Sequence, residues 1–145
     1  MPMGADGPGP FENDGAGGFV EEWASAGSEV KWQMFNDALT GVAEISQDDY
    51  VDKFEGEPAV AAAALIAAII REDREVLDEY GLSEQEAIVS RSLASLALVA
   101  LARIVGRNSE VLLLWEDSGG DEEWLGEIEK ISSILKEYLD RPALY

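Results

Sequence analysis

The run Ala87–Val105, AIVSRSLASLALVALARIV, decides the fold. Its large apolar residues, among them Ile88, Val89, Leu93, Leu96, Leu98, Val99, Leu101, Ile104 and Val105, fall on nearly every face of a helix, and a helix apolar all round belongs inside a packed bundle. Ser83 and Glu86 have the Ser-x-x-Glu spacing of a capping box, which sets the start near Ser83. Gly106 can take the left-handed conformation that stops a helix, and Arg103 and Arg107 stand beside the negative end of its dipole. No acid lies between Ala87 and Ser109, so Arg91, Arg103 and Arg107 are expected to find acidic partners on other segments.

Working outward, the longest uninterrupted apolar run is Ala59–Ile70. It falls short of the roughly 20 residues that span a bilayer. Pro58 suits a first helical turn, so a helix is expected over Pro58–Glu79, with its charged end from Arg71 directed to solvent. Small residues let helices approach closely, which sets Ala61–Ala64 and Ala67–Ala68 against Ala94, Ala97, Ala100 and Ala102 in a central antiparallel hairpin joined around Tyr80–Leu82. Before it, Asn13 or Asp14 caps a short helix running to about Ala26, and Trp32, Phe35, Leu39 and Val42 mark an amphipathic helix over Glu29–Ile45. An acidic connection, Ser46–Glu57, follows. Tyr50 and Phe54 are expected to pin it to the core while Asp48, Asp49, Asp52, Glu55 and Glu57 stay in water. After the central run comes a short helix, Ser109–Asp117, stopped by Gly119-Gly120, and then a helix capped by Asp121 with the stripe Trp124, Ile128, Ile131, Leu135, Tyr138. The expected fold is therefore all-α: a single domain over residues 1–145 with five or six helices around the hairpin, a Gly/Pro-rich arm over 1–18 and a tail over 143–145.

Composition narrows the chemistry. The chain has 145 residues, no cysteine and no histidine, so disulfides, thiol nucleophiles and the commonest general base and transition-metal ligand are absent. Asp and Glu number 30 against 10 Lys and Arg, a formal charge of −20, and such a field repels phosphate backbones and anionic lipid. Neither nucleic acid nor a membrane is expected as a direct partner. The amino terminus lacks a basic n-region and an apolar h-region, which implies a cytoplasmic protein.

Two acidic clusters could bind a hard cation through oxygen ligands: Asp48, Asp49 and Asp52, and Glu116, Asp117, Asp121, Glu122 and Glu123. Neither matches a known loop spacing, and helix capping and solvated faces account for them, so no metal and no cofactor is assigned. The arm over 7–14 is Gly-rich and leads into a helix start, but it lacks the lysine and hydroxyl of a phosphate loop. Its residues read as structural instead, with Phe11 plugging the bundle.

The order Gly4-Ala5-Asp6-Gly7-Pro8-Gly9-Pro10-Phe11-Glu12-Asn13-Asp14 resembles the opening of a family of small bacterial proteins of unknown function, Met-Gly-x-Trp-Gly-x-Gly-Pro-Phe-(Asp/Glu)-Asn-Asp. Asn108-Ser109-Glu110-Val111, Leu114-Trp115-Glu116 and Asp121-Glu122-Glu123-Trp124 are similar to that family's closing elements. The resemblance implies structural roles for Gly9, Pro10, Phe11, Asn13, Asp14, Trp115 and Trp124 and supplies no catalytic residue. Asp6 stands where the family usually carries Trp, and Ala64 where it often carries Glu.

Three functional readings follow. The first is a binding or regulatory module, inhibitor-like in the manner of immunity proteins or antitoxins, whose acids Asp48, Asp49, Asp52, Glu116, Asp117, Glu122 and Glu123 steer it to a basic protein. The second is a carboxylate-based hydrolase aided by Mg²⁺ or Ca²⁺. The third takes the acidity as adaptation to a high-salt cytoplasm. The sequence leaves the oligomeric state open.

Overall fold

The computed structural model describes residues 7–79 and 89–141. Among these the chain forms seven helices and no strand: α1 (Asp14–Ala24), α2 (Ser28–Ala43), α3 (Lys53–Arg71), α4 (Arg74–Glu79), α5 (Arg91–Ile104), α6 (Glu110–Ser118) and α7 (Asp121–Asp140). The all-α bundle expected from the periodicities is present. One more helix appears because the run expected over Pro58–Glu79 breaks at Glu72, whose φ of 54° is left-handed.

The centre of the bundle is α3. It packs against α1, α2, α4, α5, α6 and α7, and every residue from Ala59 to Ala68 is buried. A helix can be enclosed on all sides only if its neighbours come close, and the alanines of α3 allow that. By contrast α5, expected to be buried all round, buries Ala94, Ala97, Ala100, Leu101 and Ile104, while Val99 is 50% exposed and Ala102 faces solvent. Leu93, Leu96 and Leu98 lie at the margin of the interface. The larger side chains of α5 flank a narrow alanine contact with α3, so the helix is one-sided.

Helix starts also differ from expectation. Asp52 caps α3 by accepting from the Glu55 N–H at 3.0 Å, so that helix begins one turn earlier than Pro58 suggests. Pro58 lies inside it and removes the N–H that would bond the carbonyl of Phe54, a residue in contact with water. Ser90 accepts from the Leu93 N–H at 3.0 Å and starts α5 at Arg91. The capping box Ser83/Glu86 and the joint at Tyr80–Leu82 fall outside the described residues. Asp121 does not cap α7: the cap position is Gly120, and Asp121, Glu122 and Glu123 occupy the first turn, where negative charge is favoured. Gly119, at φ 82°, stops α6 as expected.

The stripes are placed as their spacings require. Trp124, Ile128, Ile131 and Leu135 are buried on α7, Phe35, Leu39 and Val42 on α2, and Ala16, Val20 and Trp23 on α1. Trp23 stacks on Phe35 with centroids 5.1 Å apart. Trp115 and Trp124 are buried, and Ala64 lies within the enclosed length of α3.

The arginines of the central run do not pair as expected. Arg103 is buried and binds main-chain carbonyls instead of a carboxylate: Nε donates to Ile45 at 3.1 Å, Nη1 to Arg107 at 2.8 Å, and Nη2 to Ser46 at 3.0 Å and Asp49 at 2.6 Å. A guanidinium can do this because its donors form a planar fork. Arg91 donates to the carbonyls of Leu139 and Arg141 at the end of α7, compensating that helix's dipole. Among the described residues, Arg107 is the one of the three that meets an acid, Asp48, at 3.4 Å on the surface. Replacement of Arg103 by Met is therefore expected to cost on the order of 3 kcal/mol, because four part-buried hydrogen bonds to a charged donor are lost at once. Arg103→Lys should recover less than half of that, having no fork. Urea unfolding midpoints of the two variants check both statements.

Candidate functional site

The first turns of α3 collect residues from both ends of the chain. Lys53 donates its backbone N–H to the Glu110 carboxylate at 2.9 Å, so an acid from the start of α6 satisfies an orphan donor at the start of α3. Just before it, Val51 is fully buried and forms an isolated parallel bridge with Ser109: its N–H donates to the Asn108 carbonyl and its carbonyl accepts from Glu110, each at 2.8 Å. Val51 thus pins the connection. Tyr50 and Phe54, expected in that role, are 53% and 76% exposed.

One turn further on, Glu57 is buried at 7% exposure and accepts from the Gly15 N–H in the first turn of α1. It was expected in water. The contact is close: a Cβ on Gly15 would lie 2.8 Å from the Glu57 Cβ and 2.6 Å from its Oε1. Burial is the largest influence on the Glu57 carboxyl and pushes its pKa above 4.5. Lys53 and the Gly15 N–H pull it down, and Asp14 and Glu110 push it up. The signal that would have found Glu57 is Asp52-x-x-Glu55, a helix start that carries Glu57 into the buried register of α3.

The arm reaches the same corner. Asn13 caps α1, accepting from the Ala16 N–H at 2.7 Å, and Asp14 occupies the first turn. Gly9 and Glu12 close the preceding turn reciprocally, with the Gly9 N–H on the Glu12 carboxylate at 3.0 Å and the Glu12 N–H on the Gly9 carbonyl at 3.2 Å. Pro10 lies between them, half-buried. Phe11 is half-buried against the core, so it seats the arm and does not plug the bundle. Asp6 lies outside the described residues.

The two acidic clusters are not brought together. Asp48, Asp49 and Asp52 flank the start of α6, and Glu116, Asp117, Glu122 and Glu123 lie at its far end, about 13 Å away at 1.5 Å per residue. Asp48, Asp49, Glu116, Asp117, Glu122 and Glu123 are exposed, whereas Asp52 is partly buried as the cap of α3. Among the described residues, no group of three or more carboxylates is placed to hold a metal ion. A groove of about 610 Å³ between α2 and the start of α5 is lined, among the described residues, by Trp32, Asn36, Ser90, Ser92, Leu93 and Leu96, none of them titratable. Chemically the corner is a set of helix-end contacts, with Glu57 the one buried carboxylate among the described residues. Among the described residues, no helix is long and apolar enough to cross a membrane.

Residues 4–127 match the family described as Domain of unknown function (DUF4259). The chain belongs to this family. The DUF4259 match takes in both segments that meet at Lys53–Glu57 and stops within α7, so the buried Ile128, Ile131 and Leu135 lie beyond it. No curated protein and no solved structure matches the chain.

Two outcomes follow from the Gly15–Glu57 contact of this DUF4259 protein. Gly15→Ala is expected to lower stability by about 2 kcal/mol, as overpacking does, because α1 must lift from α3. A folded-state pKa above the unfolded one means that Glu57 contributes stability fully present below pH 4.5 and lost as pH rises through the folded value. Glu57→Gln keeps an acceptor for Gly15 and should gain on the wild type as pH is raised from about 4 to about 7. Paired urea titrations across that range read the difference, and a constant offset would contradict it.

Proposed function

We propose that this DUF4259 protein is a non-catalytic binding module that recruits a basic protein through its acidic surface. The observation that carries the reading is where the cations go. Of 10 Lys and Arg, three are directed to main-chain carbonyls: Arg103, Arg91 and Lys31, the last with Nζ on Ala24 and Ala26. Ion pairs made by others, such as Arg71 with Glu137 at 3.7 Å and Lys130 with Glu127 at 3.7 Å, lie on the surface and draw little from the acid surplus. Among the described residues, Asp48 is the only member of the set Asp48, Asp49, Asp52, Glu116, Asp117, Glu122 and Glu123 in an ion pair. A surface left this negative raises encounter rates with a positive partner and repels nucleic acid and anionic lipid.

Immobilised protein incubated with lysate of the native host at low and high salt tests this. A basic protein should be held at low salt and released as salt rises, since charges farther apart than about 8 Å are screened at physiological ionic strength. Asp52 is unsuitable for charge reversal because the change would remove the α3 cap, at about 1 kcal/mol. Asp48→Lys with Asp49→Lys alters two exposed carboxylates and should slow association about tenfold. If no basic protein is retained at low salt, the reading is wrong.

A further inference from the structure

We propose that Tyr50 and Phe54 are the docking head of this surface and that their occupant is an arginine-bearing extended segment of the basic partner, laid along the exposed face of α6. This rests on the binding function proposed above and names its epitope and ligand chemistry.

The exposure of these aromatics is enforced by the backbone. Residues 45–49 are held by three of the Arg103 hydrogen bonds and by the Asn108 side-chain amide, which donates to the Gln47 carbonyl at 2.8 Å. Val51 is clamped on both its polar groups, and Asp52 fixes the helix start that follows. Between and beyond these fixed points Tyr50 and Phe54 stand out at 53% and 76% exposure. Large aromatic groups on a preorganised backbone lose little freedom on binding, which is what anchors of an interface require.

Their surroundings select the sign of the occupant. Tyr50 and Phe54 flank Asp52, next to exposed Asp48, Asp49 and Glu55, and the Glu110 carboxylate lies against this segment through Lys53. Partial desolvation and then the charges of Glu110 and Asp52 push the Tyr50 phenol above its usual pKa, so the negative field is felt at the ring. Along α6, Glu110, Leu113, Glu116 and Asp117 recur on one face, with Leu113 47% exposed and Glu116 and Asp117 in water. A second copy of this chain would bring another −20, and nucleic acid or an anionic membrane would bring phosphate; all three are repelled.

Between the two cations available to a protein, the rings favour arginine. Guanidinium stacks on aromatic faces and meets carboxylates in a two-pronged fork, whereas the ammonium of lysine is a strongly hydrated point charge. Phe54 already takes a cation in this way, with the Lys53 Nζ 5.5 Å from its centroid, and keeps most of its surface open. An extended chain rises about 3.3 Å per residue, so about four residues cover α6 from the aromatic head to Glu116.

The experiment uses the full chain and two synthetic peptides of about 12 residues, one alternating Arg with Gly and one alternating Lys with Gly, equal in length and charge and long enough to overrun α6. Affinities are measured at low salt by calorimetry for the wild type and for Tyr50→Ser with Phe54→Ser. Both substituted side chains are exposed, so the thermal midpoint should be unchanged. The arginine peptide is expected to bind about tenfold more tightly than the lysine peptide, as a desolvated cation–π contact allows. The variant should bring that ratio to about one while retaining salt-sensitive binding of both. Equal affinities in the wild type, or a ratio the variant leaves unchanged, would overturn the aromatic head and leave the acidic module standing. Failure of both peptides to bind the wild type at low salt would overturn the module itself.

Discussion

A helix enclosed along its length by other helices must have its end groups satisfied by its own caps and by its neighbours, and that constraint shapes this molecule. The first N–H groups of α3 cannot all find water, so Asp52 takes one from within the chain and Glu110 takes another from α6. In return Glu57, on α3, satisfies an N–H of α1. At the opposite end the carbonyls of Ala68 and Ile69 accept from the left-handed Glu72 and from Asp73, which follows it. Enclosure by close neighbours and the exchange of end groups are two sides of one arrangement, since alanine contacts bring helices near enough for a carboxylate on one to reach the terminus of the next.

Carboxylates therefore fall into two populations. A few, Asp52, Glu57 and Glu110, are drawn into the joints between helices, where each holds a backbone donor. Most of the other described carboxylates face water. The cations separate in a matching way: Arg103, Arg91 and Lys31 satisfy the carbonyl ends that carboxylates cannot serve. These six charges thus attend opposite ends of helices instead of each other, and the surface keeps its surplus.

Much of this was legible in the chain and some was not, for identifiable reasons. The stripes of α2 and α7 announce their buried faces because a 3.6-residue period needs no tertiary context. The rank of the two central helices is not legible in the sequence, because a run of leucines looks more buried than a run of alanines, yet here the small residues let α3 be surrounded. Hydrophobicity alone points Tyr50 and Phe54 inward. The smaller Val51 holds that place because a bridge to Ser109, 58 positions on, fixes which side of the backbone faces in. Nor does the sequence state that Arg103 would choose carbonyls over the many acids available, for that choice depends on a loop folding over it from more than 50 residues away. Of the acids singled out in the sequence, Asp48, Asp49, Glu116, Asp117, Glu122 and Glu123 are exposed, whereas Asp52 is half-buried because it caps α3 ahead of Pro58.

The Arg103 cage gives the acidic loop an unusual kind of constancy. Its acceptors are amide oxygens, which neither titrate nor exchange their charge for that of a dissolved ion, and one planar fork of donors holds them together. Protons and salt can therefore dim or brighten the electrostatic field that the loop projects without redrawing its outline. Shape and charge become separate controls: the first is set once by folding, and the second remains adjustable by the medium in which the protein is placed.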